Sequence, residues 1–387
     1  MAHPDVVVVG AGVIGAACAE ALTARGIGVL VLDRGAPAAG TTAAGEGNVL
    51  VSDKEPGPEL VLAQASRRRW PTLLAELRDE LGPTVAEVEW EPKGGLVVAT
   101  TSASAQPLTD FATAQRDAGV DARRITANEA IELEPRLTKE IAAAVHYPED
   151  AQLQPVLATT TLLAAVRKRG GEVRGHTEAL GVDRSTNGTI KALRTKHNSI
   201  PCGAVVNACG PWSGAFSRAA GAAIDIQPRR GVVLVTVPLP PNTVRHKVYD
   251  ADYVGAVASG DADLQTSTVV ESTQAGTVLV GSSRQRVGFD DSLRVEVLRE
   301  LARKAVRLFP FLADVQIMRS YGGFRPYAPD HLPVIGEDHR LPGLWHATGH
   351  EGAGIGLAAA TGQLLAELFT GQAPHVDPVP FRVDRQP

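Results

Sequence analysis

The chain opens on blocks of hydrophobic residues. Val6 to Val9 is an unbroken apolar run, residues 13–25 read as a helix ending at Gly26, and Val29 to Leu32 is a second apolar run that stops at Asp33. Short apolar runs flanking a helix predict strands buried in a parallel sheet. The joint between the first run and the helix holds glycines at 10, 12 and 15. Gly10 permits a tight turn, Gly12 lets backbone approach a pyrophosphate, and Gly15 lets the helix pack on the strand. The helix start at Val13 and Ile14 offers N–H groups and a positive dipole end to phosphates. Asp33 stands where a carboxylate accepts hydrogen bonds from ribose hydroxyls. Strand, glycines, helix, strand and acid together predict a dinucleotide site. They do not separate FAD from NAD.

Further along, the pattern alternates between helical and strand periods. Residues 34–50 are small, hydroxylated and glycine-rich, a composition that lies flat against a large planar ligand. Thr41 and Thr42 offer hydroxyls there, and Ala44, Gly45, Gly47 and Asn48 offer close backbone, with Glu46 and Asn48 toward the planar face. A helix is predicted over 60–81, a hairpin over 89–100, and a helix over 104–118. Thr126 to Glu129 has capping-box spacing before a short helix. A strand over 142–147, a helix over 156–169 and a strand at 170–174 follow, the last placing the Val173 backbone against an adenine. Asn187-Gly188 marks a hairpin. Residues 204–213 read as a second strand–glycine–helix step through Ala208, Gly210 and Trp212. From 227 to 287 four strands of a mainly antiparallel sheet are predicted, then a helix over 293–309 with Leu293, Val297, Leu301 and Ala305 on one stripe. Near the end, a strand feeds Gly349-His-Glu-Gly-Ala-Gly354 and a long helix over 354–368, an anion or carbonyl cradle suited to the edge of a reduced flavin.

Composition narrows this picture. The 387 residues, 44% hydrophobic with 39 glycines, allow a large core and two domains. Net charge is −5 and no basic block stands out, which argues against nucleic acid as a partner; Arg67-Arg68-Arg69 reads as a solvated helix face. Cys18, Cys202 and Cys209 form no metal spacing and no C-x-x-C, which predicts no metal site and a reducing, cytoplasmic setting. The apolar start lacks a signal peptide's basic flank, and no run reaches the roughly 20 apolar residues of a membrane span.

Three stretches carry a resemblance. They are the glycines at 10–15, Val-Val-Asn-Ala-Cys-Gly-Pro-Trp-Ser at 205–213, and Gly-Gly-Phe-Arg-Pro-Tyr-Ala-Pro-Asp at 322–330 followed by Gly-His-Glu-Gly-Ala-Gly-Ile-Gly at 349–356. In this order they resemble the D-amino-acid oxidase superfamily of FAD enzymes. Within it, residues 40–54 and the 349–352 turn resemble the glycine oxidase branch, and more narrowly the flavoprotein subunits of hydrogen cyanide synthase, opine oxidase and proline or hydroxyproline dehydrogenases. The resemblance implies an α/β Rossmann-like FAD domain (1–85, 150–225, 320–387) with an inserted substrate domain (86–149, 226–319) built on a mainly antiparallel sheet. It also implies non-covalent FAD, since Gly323 stands where some relatives tether the flavin by cysteine. Arg325 matches the arginine that holds the substrate carboxylate beside the flavin. His350 and Glu351 fall at the flavin edge as candidate catalytic groups, with Gly349, Gly352, Ala353, Gly354 and Ile355 around the cofactor. Tyr249, Tyr253 and His246 fall where the family draws pocket side chains. The implied reaction is oxidation of the C–N bond of a small amino or imino acid by hydride transfer from Cα to flavin N5, with O2 or another carrier as acceptor. Two alternatives stay open here: oxidative demethylation of a sarcosine-like substrate, and a flavoprotein subunit inactive without an iron–sulfur or second flavin partner. Homo-oligomerisation stays open as well.

Overall fold

The first apolar run forms β1 (Val6–Val9), with all four side chains buried. It is flanked in parallel by β2 (Val29–Leu32), reached through α1 (Val13–Thr23). The computed structural model describes residues 3–252 and 263–385. Along the chain follow β3 (Asn48–Val49), α2 (Pro58–Leu81), β4 (Gly95–Ala99), α3 (Ser102–Asp117), β5 (Arg123–Ile125), α4 (Ala127–Leu133), β6 (Ala143–Tyr147) and β7 (Ala151–Gln152). Then come α5 (Pro155–Lys168), β8 (Glu172–Arg174), β9 (Ala179–Arg184), β10 (Ile190–Thr195), β11 (Ser199–Pro201), β12 (Ala204–Asn207) and α6 (Ser213–Ala220). The last part holds β13 (Gln227–Thr236), β14 (Lys247–Asp250), β15 (Gln265–Ser272), β16 (Val278–Arg284), α7 (Val295–Leu308), β17 (Ile317–Tyr327), β18 (Val334–Glu337), β19 (Leu344–Thr348) and α8 (Gly354–Phe369).

Two large sheets organise these elements. The first has the order β18-β19-β12-β1-β2-β8, parallel except for β18 at its edge. The second has the order β17-β13-β16-β15-β14-β4-β6-β5 and is antiparallel except where β14 meets β4. This is the Rossmann-like domain with an added, mainly antiparallel sheet that the resemblance implied. Close backbone approach holds the first sheet to its helices. A Cβ on Gly15 would lie 1.9 Å from the Gly10 carbonyl oxygen, and one on Gly362 of α8 would lie 2.4 Å from that of Ala17. Helix α8 is apolar over most of its surface and packs against α1 and α2, while its Gln363 donates to Glu367 at 2.7 Å. Residues 351–369 are long and apolar enough to cross a membrane, but two-thirds of that stretch is buried inside the fold.

Three expectations change. The 89–100 stretch is not a hairpin: β4 pairs with β6 and β14, while Glu91 bridges to Gln152. Leu293 lies before α7 and is 45% exposed, and the buried stripe is Val297, Leu301, Ala305 and Leu308. The expected boundary at 320 falls inside β17, whose residues pair with β13, so 320–327 belong to the second sheet. Other signals lead where they pointed. Thr126 and Glu129 form a full capping box, and the strands either side of Asn187-Gly188 pair as β9 and β10.

Candidate active site

A cavity of about 910 Å³ lies between the two sheets, near the upper end of pockets that take small ligands and cofactors. One end is built on the first sheet. Gly10 turns with φ +111°, and a Cβ there would stand 2.2 Å from the Ala208 carbonyl oxygen. Gly10, Gly12, Val13, Ile14, Ala208 and Gly210 line this end, together with Asp33, Arg34 and Trp212. Asp33 is oriented by the backbone: Ala11 N–H and Gly35 N–H each donate to one of its oxygens at 2.8 Å. Arg34 stacks 3.9 Å from the centre of the Trp212 ring, whose other neighbour is Phe289 at 5.2 Å. Thr42 Oγ1 accepts from Val13 N–H at 3.0 Å, so it caps α1 from 29 residues away. Thr41 donates to the Phe324 carbonyl at 2.7 Å and ties this loop to β17, one residue before Arg325.

The other end is built where the second sheet meets α8. Ala44, Gly45, Glu46, Gly47 and Asn48 line it from the loop, Gly323 and Arg325 from β17, and His350, Glu351, Gly352, Gly354 and Ile355 from the turn before α8. The loop is pinned by buried Asp150, which accepts from Val51 N–H at 2.9 Å and from the Ser52 hydroxyl. Arg325 crosses over Gly231 of β13, where any Cβ would lie 2.2 Å from its Nη1, and donates from Nη1 to the Ser283 carbonyl at 2.8 Å. A glycine thus lets a guanidinium lie flat along the sheet face, with its planar fork fixed by a backbone carbonyl.

The two acid–base candidates take other parts. His350 is 2% exposed, with Nε2 3.0 Å from Thr361 Oγ1 inside α8. Burial holds its pKa down at about 3, so the ring stays neutral and is no proton carrier at working pH. Glu351 is fixed by Arg229 on one oxygen and by His331 Nδ1 at 3.2 Å on the other. Burial alone would raise its pKa, but the His331 hydrogen bond and the charges of Arg229 and Arg284 bring it to about 2. It remains a fixed carboxylate.

Some expected residues lie elsewhere. Gly15, Val173, Gly349 and Ala353 do not line the cavity; Gly15 packs α1 on β1, and Val173 pairs with Val31 inside the sheet. The residues that line the cavity there are Thr177 to Leu180, a few positions later. Tyr249 is fully buried against Ser52, and His246 bonds Glu134 at 3.0 Å. Neither lines the cavity, and Tyr253 lies outside the described residues. Sequence reasoning missed Arg284 and Gly231, which line the cavity, and Arg229, buried behind it. The signal was present: arginines inside otherwise apolar strands, in Gln227-Pro-Arg-Arg-Gly231 and Gly281-Ser-Ser-Arg284.

The buried His350 carries a stability prediction. Its folded pKa lies below the ordinary value near 6.5, so the unfolded chain binds more protons between about pH 3 and 6.5. Stability therefore falls as pH drops through that window, by up to about 1.4 kcal/mol per pH unit for one full proton. His350→Gln keeps a partner for Thr361 and cannot titrate. Its melting temperature is expected to fall less than that of the wild type between pH 7 and 5 in thermal unfolding. Equal slopes would remove His350 from the acid lability.

Comparison with known proteins agrees with this geometry. A family described as FAD dependent oxidoreductase matches residues 5–368. The glycine oxidase of Geobacillus kaustophilus is 29% identical over 388 residues, covering 98% of this chain and 97% of that protein. The crystal structure of glycine oxidase from that organism aligns with a TM-score of 0.89, at 27% identity, over 100% of both chains. L-proline dehydrogenase from P. horikoshii aligns with a TM-score of 0.87 at 25% identity, over 99% of this chain and 97% of that one. Hydrogen cyanide synthase subunit HcnC of Pseudomonas aeruginosa is 26% identical, covering 98% and 96%. The cofactor is FAD, and the residues fit it. Gly10 and Gly12 with the α1 start would hold the pyrophosphate, Asp33 would accept from the ribose, and the turn before α8 would offer a second set of N–H groups at the opposite end. Gly323, packed on Ala44, carries no thiol, and Cys209, the cysteine that lines the cavity, sits near Asp33.

Proposed function

The chain belongs to the FAD-dependent oxidoreductase family, and from that premise we propose that it oxidises the C–N bond of a small amino or imino acid. The observation that carries this reading is Arg325, laid over Gly231 in the cofactor cavity and oriented by the Ser283 carbonyl. A planar guanidinium pairs with a carboxylate through two parallel hydrogen bonds and fixes its direction as well as its distance. With the carboxylate held there, Cα and its nitrogen are turned toward the middle of the cavity. FAD, when bound, would supply the oxidising chemistry, taking up the hydride that leaves Cα. The chain's own contribution is position and electrostatics. Arg325 clamps, while Glu351 stays ionised between Arg229 and His331 and balances part of the positive charge around the clamp. Val233 and Ile355 give the cavity apolar wall. The nitrogen must lose its surplus proton before the hydride leaves, so that its lone pair can form the C=N bond.

The test is an anaerobic visible spectrum of the purified holoenzyme, taken before and after proline, 4-hydroxyproline, glycine and sarcosine. One of them is expected to bleach the flavin band. Recovery of colour on re-aeration would mark an oxidase, and none a dehydrogenase that passes electrons to another carrier. Bleaching by sarcosine with formaldehyde formed would move the reading to demethylation. A bound flavin that none of the four bleaches would overturn the small amino acid reading.

A further inference from the structure

Behind the loop that faces the cofactor cavity lies a buried chain of polar groups that the reading above does not use. Lys247 on β14 donates to Asn48 Oδ1 and, at 3.0 Å, to Glu271 Oε2 on β15. Asn48 Nδ2 in turn donates to Glu46 Oε2 at 3.1 Å. Lys247 and Glu271 are 1% and 0% exposed. Two carboxylate oxygens in the array, Glu46 Oε1 and Glu271 Oε1, are buried with no hydrogen-bond donor. A buried carboxylate oxygen without a donor costs free energy until a donor arrives. Two carboxylates flank one ammonium here, so the array has room for one more positive charge or proton.

Its position says where that charge comes from. Glu46 lines the cofactor cavity, and its Oε1 would be 2.3 Å from a Cβ on Gly281 of β16. Arg325 touches the same strand at the Ser283 carbonyl, two residues on. The acid and the guanidinium thus meet one strand at positions two residues, about 7 Å, apart. Glu46 also lines a second cavity, of about 420 Å³, whose wall includes Glu89, Glu91 and Arg319.

We infer that Glu46 receives the substrate's cationic nitrogen and takes its surplus proton, with Asn48, Lys247 and Glu271 as the array that holds Glu46 in place. The inference rests on the proposed amino acid reading. In this step the N–H bond breaks, the electron pair stays on nitrogen, and the proton passes to the Glu46 carboxylate. The nitrogen is then ready for the oxidation already described. The charged and titratable groups around Glu46 are Lys247, Glu271, Tyr321 and Arg319 of β17, and Lys93, which pairs with Glu91 at 2.6 Å. Burial pushes the Glu271 carboxyl upward, which suits a second group able to share the proton.

The experiment compares wild type, Glu46→Gln and Glu46→Asp as FAD-loaded proteins, using whichever of the four amino acids bleaches the wild type. Flavin reduction is followed anaerobically by stopped flow from pH 6 to 10. Glu46→Gln is expected to be slower by about 100-fold at pH 7, the scale of a lost general base. Its rate should climb about tenfold per pH unit toward the free amine's own pKa, where the wild type has levelled off. Glu46→Asp should recover part of the wild-type profile. Pyrrole-2-carboxylate, which carries the carboxylate but no basic nitrogen, should perturb the flavin spectrum with unchanged affinity in Glu46→Gln. A Glu46→Gln profile that superimposes on the wild type would overturn the inference and leave the amino acid reading standing. Loss of pyrrole-2-carboxylate binding in Glu46→Gln would give Glu46 a structural role, and would likewise overturn the inference alone. Failure of all four amino acids to bleach the wild type would remove the reading and the inference together.

Discussion

Arg325→Ala is expected to remain yellow and to lose nearly all reduction by its amino acid. The residues that would hold the flavin lie mainly elsewhere: the α1 start, Asp33 and the loop around Thr42 are at the other end of the cavity. In the proposed reading Arg325 is the anchor of the substrate's carboxylate. Removing one partner of a close charge pair in a partly desolvated site costs about 2–5 kcal/mol, which is roughly 30-fold to several thousand-fold in kcat/KM. Most of this should fall on KM, because the clamp binds ground state and transition state alike. Arg325→Lys should recover only part, since a point charge lacks the fork and cannot reproduce the bond to Ser283 in the same plane. The measurement is anaerobic flavin reduction against substrate concentration, with the flavin absorbance band reporting FAD content. Unchanged kinetics in Arg325→Ala would end the carboxylate assignment.

Gly12→Val should produce a folded, colourless protein. A Cβ at residue 12 meets Thr42 Oγ1 at 3.2 Å, the same atom that accepts from Val13 N–H. Valine's two further methyl groups point into the space where a pyrophosphate approaches the helix start, and they disturb the cap that holds it. Gly12 has ordinary backbone geometry, so the damage falls on binding before it falls on folding. Gly15→Val differs, because its Cβ strikes the Gly10 carbonyl at 1.9 Å and α1 could no longer pack on β1. The pair separates the two effects: near-wild-type circular dichroism without flavin absorbance for Gly12→Val, and low soluble yield for Gly15→Val. A fully yellow Gly12→Val would contradict the placement of the pyrophosphate.

Much of the first sheet was legible because its signals are local. Val6 to Val9, the three glycines and Asp33 lie within 30 residues, and each acts through backbone geometry that its own residue type dictates. The capping box at Thr126 and the Asn187-Gly188 turn are legible for the same reason. His350 shows where such reading stops. Its neighbours in the chain suggest a group at the flavin edge, but its ring turns back to Thr361 on α8, and burial keeps it neutral. Nothing in the local pattern sets that direction.

The amino-acid sequence by itself determined the strand–glycine–helix start and most of the order of strand and helix segments, while Arg325 was singled out by the family resemblance. The start and the order depend on φ/ψ preference, periodicity and side-chain chemistry, which are carried by neighbouring residues. Only the tertiary structure decided which strands meet: that β4 pairs with β6 and β14, that β17 crosses into the second sheet, and that Gly231 clears the floor on which Arg325 lies. It also brought Glu46, Lys247 and Glu271 together from positions up to 225 residues apart. Pairing and burial across such distances arise from cooperative packing of whole faces, and no short stretch of the chain contains that information.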